Sequence, residues 1–444
     1  MTASTIHADT LPEGLSTSWL TSPPTGVCMC DDNGGSHQLL SIEQAQQIAL
    51  GLVASPVQAE TVPINDALGR IVAEDLAAPR PMPFFNNSAM DGFAIRTANL
   101  SNKGPHSLVI RGESAAGVAS GQRFDLNCAL RVNTGALVPP GFDCVIPHEN
   151  CRTDGECIEF DTIPARGANI RYQGSDMAGG ACLITNGTMV QPHHVGLLAA
   201  NGFPAIEVYR RPRVAVFSTG DELARPGQAL KTGQVFDCNK PMLIALFSSL
   251  GLKVMDLGAL PDDPTATREF FEEQKNQFDL IVSSGSVSVG NRDFLKPSFE
   301  AAGGSIECWK VAVKPGKPVM FGTLGRTLLT ALPGNPFAVF VGFALFVRPQ
   351  IMRLSGHKER QLPWQAGCAN FTWHRKAGRS ELFPVRLVSD QSSGTMKLER
   401  LGHSVSATLF PLAEADGLAI VPADCESVSP GDQVLWQPFG SCWR

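Results

Sequence analysis

The chain runs to 444 residues, 43% hydrophobic and 18% charged, with a formal net charge of −6. A chain this long is expected to form about two to four soluble globular domains. Its acidic balance, with no run of Lys or Arg longer than a pair, argues against a nucleic-acid partner. The longest apolar run, Val339 to Val347, is half a membrane span and reads as a buried helix, so no membrane association is expected.

Residues 1 to 36 are rich in Ser, Thr, Pro and Gly, acidic and without hydrophobic period, and are expected to form a disordered tail. No Lys or Arg precedes Arg70. The basic n-region of a secretory signal and the Arg-rich character of a transit peptide are therefore missing, and the expected location is cytoplasmic. Twelve cysteines include the spacing Cys28-Met29-Cys30 but no C-x-x-C pair. Reduced thiols are expected, not a zinc knuckle.

Ser41 with Gln44 fits a capping box, and Ile42, Ala45, Ile48, Ala49 and Leu52 share one face of the helix it would open. Ser55-Pro56 ends that helix. Val62 to Ile64 reads as a strand and Asp66 to Val72 as a short helical turn. From Pro79 to about Cys157 the chain shows short β-type runs (Phe93–Ile95, Leu108–Ile110, Ala129–Val132, Cys144–Pro147, Ile158–Phe160) at the spacing of a small β domain. Gln191 to Asn201 returns to helix, with Gly202 as its stop.

After Pro212 strands and helices alternate: Val214–Ser218, Pro241–Leu250, Lys253–Leu257, Pro264–Gln277, Leu280–Ser283, Asp293–Ala302, Ser305–Lys310. This βαβ rhythm predicts a parallel sheet with covering helices. Asp263-Pro264 and Asn335-Pro336 each read as an N-cap followed by Pro, the second opening an apolar helix from Pro336 to Leu354. From about Gln361, Phe371, Phe383–Leu387, Met396–Leu398, Leu418–Val421 and Gln433–Trp436 predict a small β barrel or sandwich.

One stretch carries chemistry. Asp279-Leu280-Ile281-Val282 breaks into Ser283-Ser284-Gly285-Ser286-Val287-Ser288-Val289-Gly290, and a helix follows. Strand, small-residue loop and helix make an anion cradle, because backbone N–H groups point into the bend and the helix N-terminus adds positive charge. Further on, Lys314-Pro315-Gly316-Lys317-Pro318 sets two ammonium groups on a stiff turn, in reach of the same strand ends if the sheet is parallel. Together they point to an anionic ligand.

Seven motifs in order carry a family resemblance: Asn86 to Ala94, Asn133 to Ala136, Phe217 to Leu223, Asp262-Asp263-Pro264, Ser283 to Gly290, Lys314 to Pro318 and Leu332-Pro333-Gly334-Asn335-Pro336. Over roughly residues 38 to 440 the chain resembles the molybdopterin molybdenumtransferases, the bacterial MoeA proteins and the gephyrin E domain. That resemblance implies an elongated homodimer of multidomain α/β and β chains. Its parts would be a split helical/mixed domain (37–85 and 170–210), an inserted β domain (86–169), a molybdopterin-binding α/β domain with a parallel sheet (211–356) and a C-terminal β barrel (357–444). It implies insertion of molybdate into adenylylated molybdopterin, with release of AMP and the help of Mg²⁺. The site would lie between the α/β domain of one chain and the β domain of its partner. Molybdopterin adenylyltransferase and recipient molybdoenzymes are the implied further partners.

Carried over residue by residue, the cradle (Ser284, Gly285, Ser286, Ser288 and Gly290) would hold the phosphate end of the pterin. Lys314 and Lys317, with Pro318 fixing the backbone and Lys310 as a third candidate, would neutralise molybdate without chelating its metal. Carboxylates beside phosphates repel unless a hard cation lies between. Asp91, Asp293 and Glu222 are the catalytic candidates, and Asp262, Glu222 and Asp293 the Mg²⁺ ligands. Thr134 would donate to substrate, Asp176 matches a position that relatives also fill with Asp, and Arg379 would help hold the oxyanion.

Four positions depart from the family pattern: Ser286 for Gly in the cradle, Ala338 for Ser, Ser175 for an acidic residue and Leu137 for Pro. At a backbone site with φ > 0, Ser286 costs about 1–2 kcal/mol. The alternatives to the enzyme are a cofactor-binding or scaffold paralogue with reduced transferase activity and, more remotely, another nucleotide-dependent transferase on the same α/β domain. The intact lysines and carboxylates favour the enzyme, since a scaffold has no use for them.

Overall fold

The structure is a computed structural model and describes residues 39–101, 103–117, 124–285, 287, 294–358, 364–390, 394–402 and 406–440. The tail expected over residues 1–36 lies outside them. Residues 61–68 with 74–207 form one compact unit, and the rest of the described chain forms another.

Helix α1 (Ile42–Gly51) opens on the expected capping box. Gln44 N donates to Ser41 Oγ at 3.2 Å, and Ser41 N donates to Gln44 Oε1 at 2.9 Å. The helical turn expected over Asp66 to Val72 is not formed. A 3-10 turn occupies Ile64–Asp66 instead, and Gly69 at φ +72° breaks any continuation.

The unit of residues 61–68 and 74–207 is built on a mixed sheet. Its strands are β1 (Gly92–Ile95), β2 (His106–Ser114), β3 (Ala129–Val132), β4 (Cys144–Pro147), β5 (Arg152–Thr153) and β6 (Cys157–Phe160), in the order β4-β1-β3-β2-β6-β5. Alternate side chains leave each strand on opposite faces, and both faces are covered. Phe93, Ile95 and Ile146 enter one apolar cluster, Ala94, Leu130 and Val145 the other. Asn87–Ser88 pairs with Ile170–Arg171 in a short ladder, and α2 (Pro192–Ala200) starts with Pro in its first turn.

In the other unit, β7 (Val214–Thr219), α3 (Asn239–Ser249), β8 (Val254–Leu260), α4 (Pro264–Gln274), β9 (Leu280–Ser284) and α5 (Leu295–Ala301) realise the expected alternation. Helix α3 begins ahead of Pro241, which a first turn tolerates because no intrahelical N–H is needed there. Three further strands follow: β10 (Ser305–Lys310), then, after the two-residue β11 (Val313–Lys314), β12 (Pro318–Leu324) and β13 (Thr327–Leu332).

The sheet order is β8-β7-β9-β13-β12-β10. β7, β8, β9 and β13 run parallel, but β12 is antiparallel to both of its neighbours. The expected parallel sheet is therefore mixed. The apolar run Val319 to Leu332 folds back on itself at Gly325, φ +63°, and its short hairpin leaves no room for a crossover helix.

Val214, Val216, Leu280 and Val282 face one apolar cluster, shared with α1 and α3. Ala215, Phe217 and Ile281 face a second, under α4 and α5. Helix α6 (Pro336–Leu354) lies within the first. It is apolar and long enough to cross a membrane, yet its most apolar window is 94% buried in protein. A π-bulge spans Phe343–Val347. Fully buried Gln350 ties the helix down, accepting from Thr330 Oγ1 at 2.7 Å and donating to the Ala49 carbonyl at 3.2 Å.

The C-terminal strands β14 (Gln365–Ala369), β15 (Ser380–Ser389), β16 (Met396–Arg400), β17 (Gly417–Val421) and β18 (Gln433–Pro438) close on themselves in the order β15-β16-β14-β18-β17-β15. Of the two forms expected, this is the barrel. Its residues Leu382, Leu418 and Ile420 belong to the same apolar cluster as α6.

Candidate functional site

In the parallel part of the sheet, β7 sends the chain first to β8 on one side and then to β9 on the other. The β7/β9 boundary is therefore a topological switch point, and ligands bind open α/β sheets at the carboxyl ends of the strands there. Gly285 sits at that place with φ +101°. A Cβ on it would meet the Thr219 carbonyl and hydroxyl at 2.6 Å, so glycine alone fits. Gly285 N donates to the Leu332 carbonyl at 3.1 Å.

The Ser284 hydroxyl is buried and accepts from Asn239 Nδ2 at 2.8 Å, while the same amide donates to the Gly334 carbonyl at 2.6 Å. Asn239 thus binds the start of the cradle to the Leu332–Pro336 turn. Val287 is buried against the α4 and α5 side of the sheet. Ser286, Ser288, Gly290 and Asp293 lie outside the described residues.

Sequence reasoning missed Asn239 and the network beside it. Asp237 Oδ2 accepts from Ser218 Oγ at 2.7 Å and Oδ1 from Lys240 N at 3.1 Å, while Lys240 Nζ lies 3.0 Å from Asp256 Oδ1. The buried Ser218, Asp237 and Lys240 fasten the start of α3 to the end of β7. The signal was present: Asp237-Cys238-Asn239 ahead of an apolar run is capping chemistry.

Asp221 and Glu222 follow β7, and the Glu222 carboxylate folds over Gly220, where a Cβ would collide with it. Asp262 follows β8 and reaches the first loop, its N–H 3.4 Å from Asp221 Oδ1. Asp263 caps α4 as expected, accepting from Ala266 N at 2.7 Å. Glu222 and Asp262 are therefore carried by loops that touch, at one edge of the switch point. Asn335 occupies the N-cap position of α6, but its side chain donates to Ser406 Oγ at 3.0 Å and makes no cap bond.

The lysine turn packs beside the start of α6, where a Cβ on Gly316 would lie 3.6 Å from the Ala338 carbonyl. β11 pairs in parallel with β15, setting Lys314 opposite Glu381. A cavity of about 470 Å³ opens beside them, lined by Lys314, Lys317, His374, Arg375, Lys376, Arg379, Glu381 and Arg400 among others. Arg375 is fixed by donation to the Pro422, Cys425 and Arg379 carbonyls. Arg400 stacks its guanidinium 4.2 Å from the centre of the Trp373 ring, and burial depresses its pKa, with Glu381 opposing. Lys310 and Pro318 are register partners across β10 and β12 and are not among the lining residues.

In the unit of residues 61–68 and 74–207, Asp91 Oδ1 accepts from both Thr134 N, at 2.6 Å, and Thr134 Oγ1, at 2.9 Å. These donors hold the Asp91 carboxyl below the usual carboxylate range. The pair is set by glycines. Gly92 presses so close to Ile146 that no side chain fits, and Gly135 at φ +81° makes the Thr134 turn. Asp176 is exposed, its N–H donating to the Met82 carbonyl at 3.0 Å. Apart from Lys310, Pro318 and Asp176, the described candidates thus form three local groups: Asp91 with Thr134, the strand-end loops of Glu222, Asp262, Ser284 and Gly285, and the cavity of Lys314, Lys317 and Arg379.

Three family models match the chain in sequence: the MoeA N-terminal region (domain I and II) over residues 40–202, a probable molybdopterin binding domain over 215–353 and the MoeA C-terminal region (domain IV) over 367–439. A molybdopterin molybdenumtransferase from Haemophilus influenzae is 33% identical over 403 residues, covering 90% of this chain and 99% of the relative. One from Nostoc is 33% identical over 408 residues, with 89% and 93% covered. A solved molybdopterin biosynthesis MoeA protein from Pyrococcus horikoshii superposes with TM-score 0.77 at 25% identity, covering 90% of this chain and all of that one. On matches spanning nearly its whole described length, the chain belongs to the molybdopterin molybdenumtransferase family.

Proposed function

We propose that this chain, an enzyme of molybdenum cofactor biosynthesis, inserts molybdate into adenylylated molybdopterin and releases AMP. The observation that carries the reading is the cavity in which Lys314, Lys317 and Arg379 converge. Ammonium and guanidinium groups neutralise a tetrahedral oxyanion by charge and hydrogen bonds, and because they do not ligate its metal they can give it up.

The strand-end cradle around Gly285 is assigned to the phosphate end of the pterin, with Ser286, Ser288 and Gly290 as its remaining members. The buried Ser284 hydroxyl, engaged by Asn239, holds the cradle's shape. Glu222 and Asp262 supply hard oxygen donors on touching loops, which fits Mg²⁺, an ion held by one or two carboxylates together with substrate phosphates. When bound, the ion neutralises the diphosphate. Asp293 is assigned to the same donor set.

Asp91, kept ionised by Thr134, is assigned to orient the water that attacks the adenylyl phosphorus. The phosphoanhydride bond breaks and AMP leaves. Lys310, Pro318 and Asp176 are supporting positions. The working form is proposed to be a cytoplasmic homodimer that receives substrate from molybdopterin adenylyltransferase and serves recipient molybdoenzymes.

Single-turnover AMP release from adenylylated molybdopterin, with molybdate and Mg²⁺, tests the reading, with Ser286→Gly run alongside. Release that accelerates with molybdate, and that Lys314→Ala with Lys317→Ala slows by more than about tenfold, supports it. Release indifferent to molybdate would sink it.

A further inference from the structure

The cationic cavity contains one buried acid. Glu381 is 2% exposed, and its two oxygens point at two of the cavity's cations: Oε1 lies 3.0 Å from Lys314 Nζ and Oε2 3.3 Å from Arg375 Nε. The two partners are not alike. Arg375 is 5% exposed and held by three carbonyls besides, so it stays in place without Glu381. Lys314 is 43% exposed. At 3.0 Å it makes an ion pair with Oε1 but no aligned hydrogen bond, so its ammonium has N–H donors left for another acceptor. Register fixes this neighbourhood, since Lys314 on β11 and Glu381 on β15 are directly opposed.

A site built only to grip an oxyanion has no use for a desolvated carboxylate against one of its lysines, because a fixed negative charge opposes every anion that enters. We infer that Glu381 is an affinity-setting residue. It acts as a built-in counter-anion that keeps the Lys314 ammonium aimed into the cavity and shares it with the incoming oxyanion, so that the cargo is held weakly enough to be passed on. This rests on the proposed oxyanion role of the cavity. Glu381 works through Lys314 and the field of the cavity, without touching the reacting atoms.

The test is calorimetric titration of the full chain with molybdate, and with tungstate as a second tetrahedral oxyanion. Glu381→Gln keeps the side-chain shape and removes the charge. Its molybdate Kd is expected to fall roughly tenfold, with the KM for molybdate falling and turnover falling with it as release slows. A merely structural residue would weaken binding when altered, so an unchanged or higher Kd in folded Glu381→Gln overturns the proposal. If that variant does not fold, Lys314→Met is compared with Lys317→Met. Loss at Lys314 both removes a cation and leaves Glu381 opposing the anion, so it should weaken binding several-fold more, and equal losses overturn the proposal. Absence of any oxyanion binding by the unaltered chain would remove the assignment of the cavity itself, an outcome distinct from both.

Discussion

Asn239 Nδ2 and the Gly334 carbonyl, 95 residues apart in sequence, are joined at 2.6 Å by an amide that also donates to Ser284 Oγ at 2.8 Å. One side chain thus fixes the spacing of two loops at the switch point. Asn239→Ala leaves a buried hydroxyl and a carbonyl without their donor, and is expected to cost about 1–3 kcal/mol. Asn239→Asp should cost more, because a carboxylate would face the carbonyl. Urea unfolding measures both.

Gly285→Ala is expected to be more damaging than an ordinary loop substitution. It combines φ +101° with a Cβ 2.6 Å from Thr219 atoms, and strain of this kind exceeds the usual gain of about 0.4–1 kcal/mol from removing a glycine. The thermal midpoint should drop. Gly378→Ala, which also has positive φ but open space around its Cβ, should cost less, and equal losses would show that the contact with Thr219 is immaterial.

The pH behaviour of Asp91 has a definite sign. Its folded pKa lies below the ordinary carboxylate value because Thr134 donates to the ionised form. The contribution of the pair is therefore complete above the unfolded value, and it is lost as pH falls through the folded one. AMP release should show no Asp91 titration near neutrality. Thr134→Val removes the hydroxyl donor and should move the acid limb of the pH–rate profile upward. Asp91→Asn should reduce turnover by roughly 10²–10⁴-fold, and an unchanged acid limb in Thr134→Val would count against the assignment.

Thiol reactivity should separate the cysteines. Burial pushes the Cys144 thiol up to about 12, and since the thiolate is the reactive form, an alkylating reagent at pH 8 should leave it unmodified. Among the cysteines of the described residues Cys182 is exposed and should label ahead of the buried ones. Mass spectrometry of partly labelled protein reads the order directly.

Local signals proved readable wherever chemistry and period agreed. Ser41 with Gln44, Asp263 before Pro264, and the alternation from Val214 to Lys310 each specify an element within a few residues. The β12–β13 hairpin was missed because its two strands are buried on both faces and show no alternation, which left the exposed Gly325-Arg326 turn as the one mark of a reversal. The roles of Asn239, Glu381 and Arg375 were also hidden. Each acts on partners distant in sequence or across a strand pair, and nothing in the side chain alone distinguishes a buried carboxylate opposite a lysine from a solvated one. The lysine turn was read as lying in reach of the strand ends; that Lys314 also pairs with the barrel edge is a consequence of register that composition does not encode.

Leu382, Leu418 and Ile420 of the barrel share an apolar cluster with α6 and the sheet. A chain cut near residue 356 would therefore not yield an α/β module missing an appendage. It would bare apolar surface of α6, and the barrel released, though it keeps a core of its own around Phe383, Val385 and Leu398, would expose Leu382, Leu418 and Ile420. The two should melt in a single cooperative transition, and the walls of the cationic cavity should hold their separation before any ligand arrives.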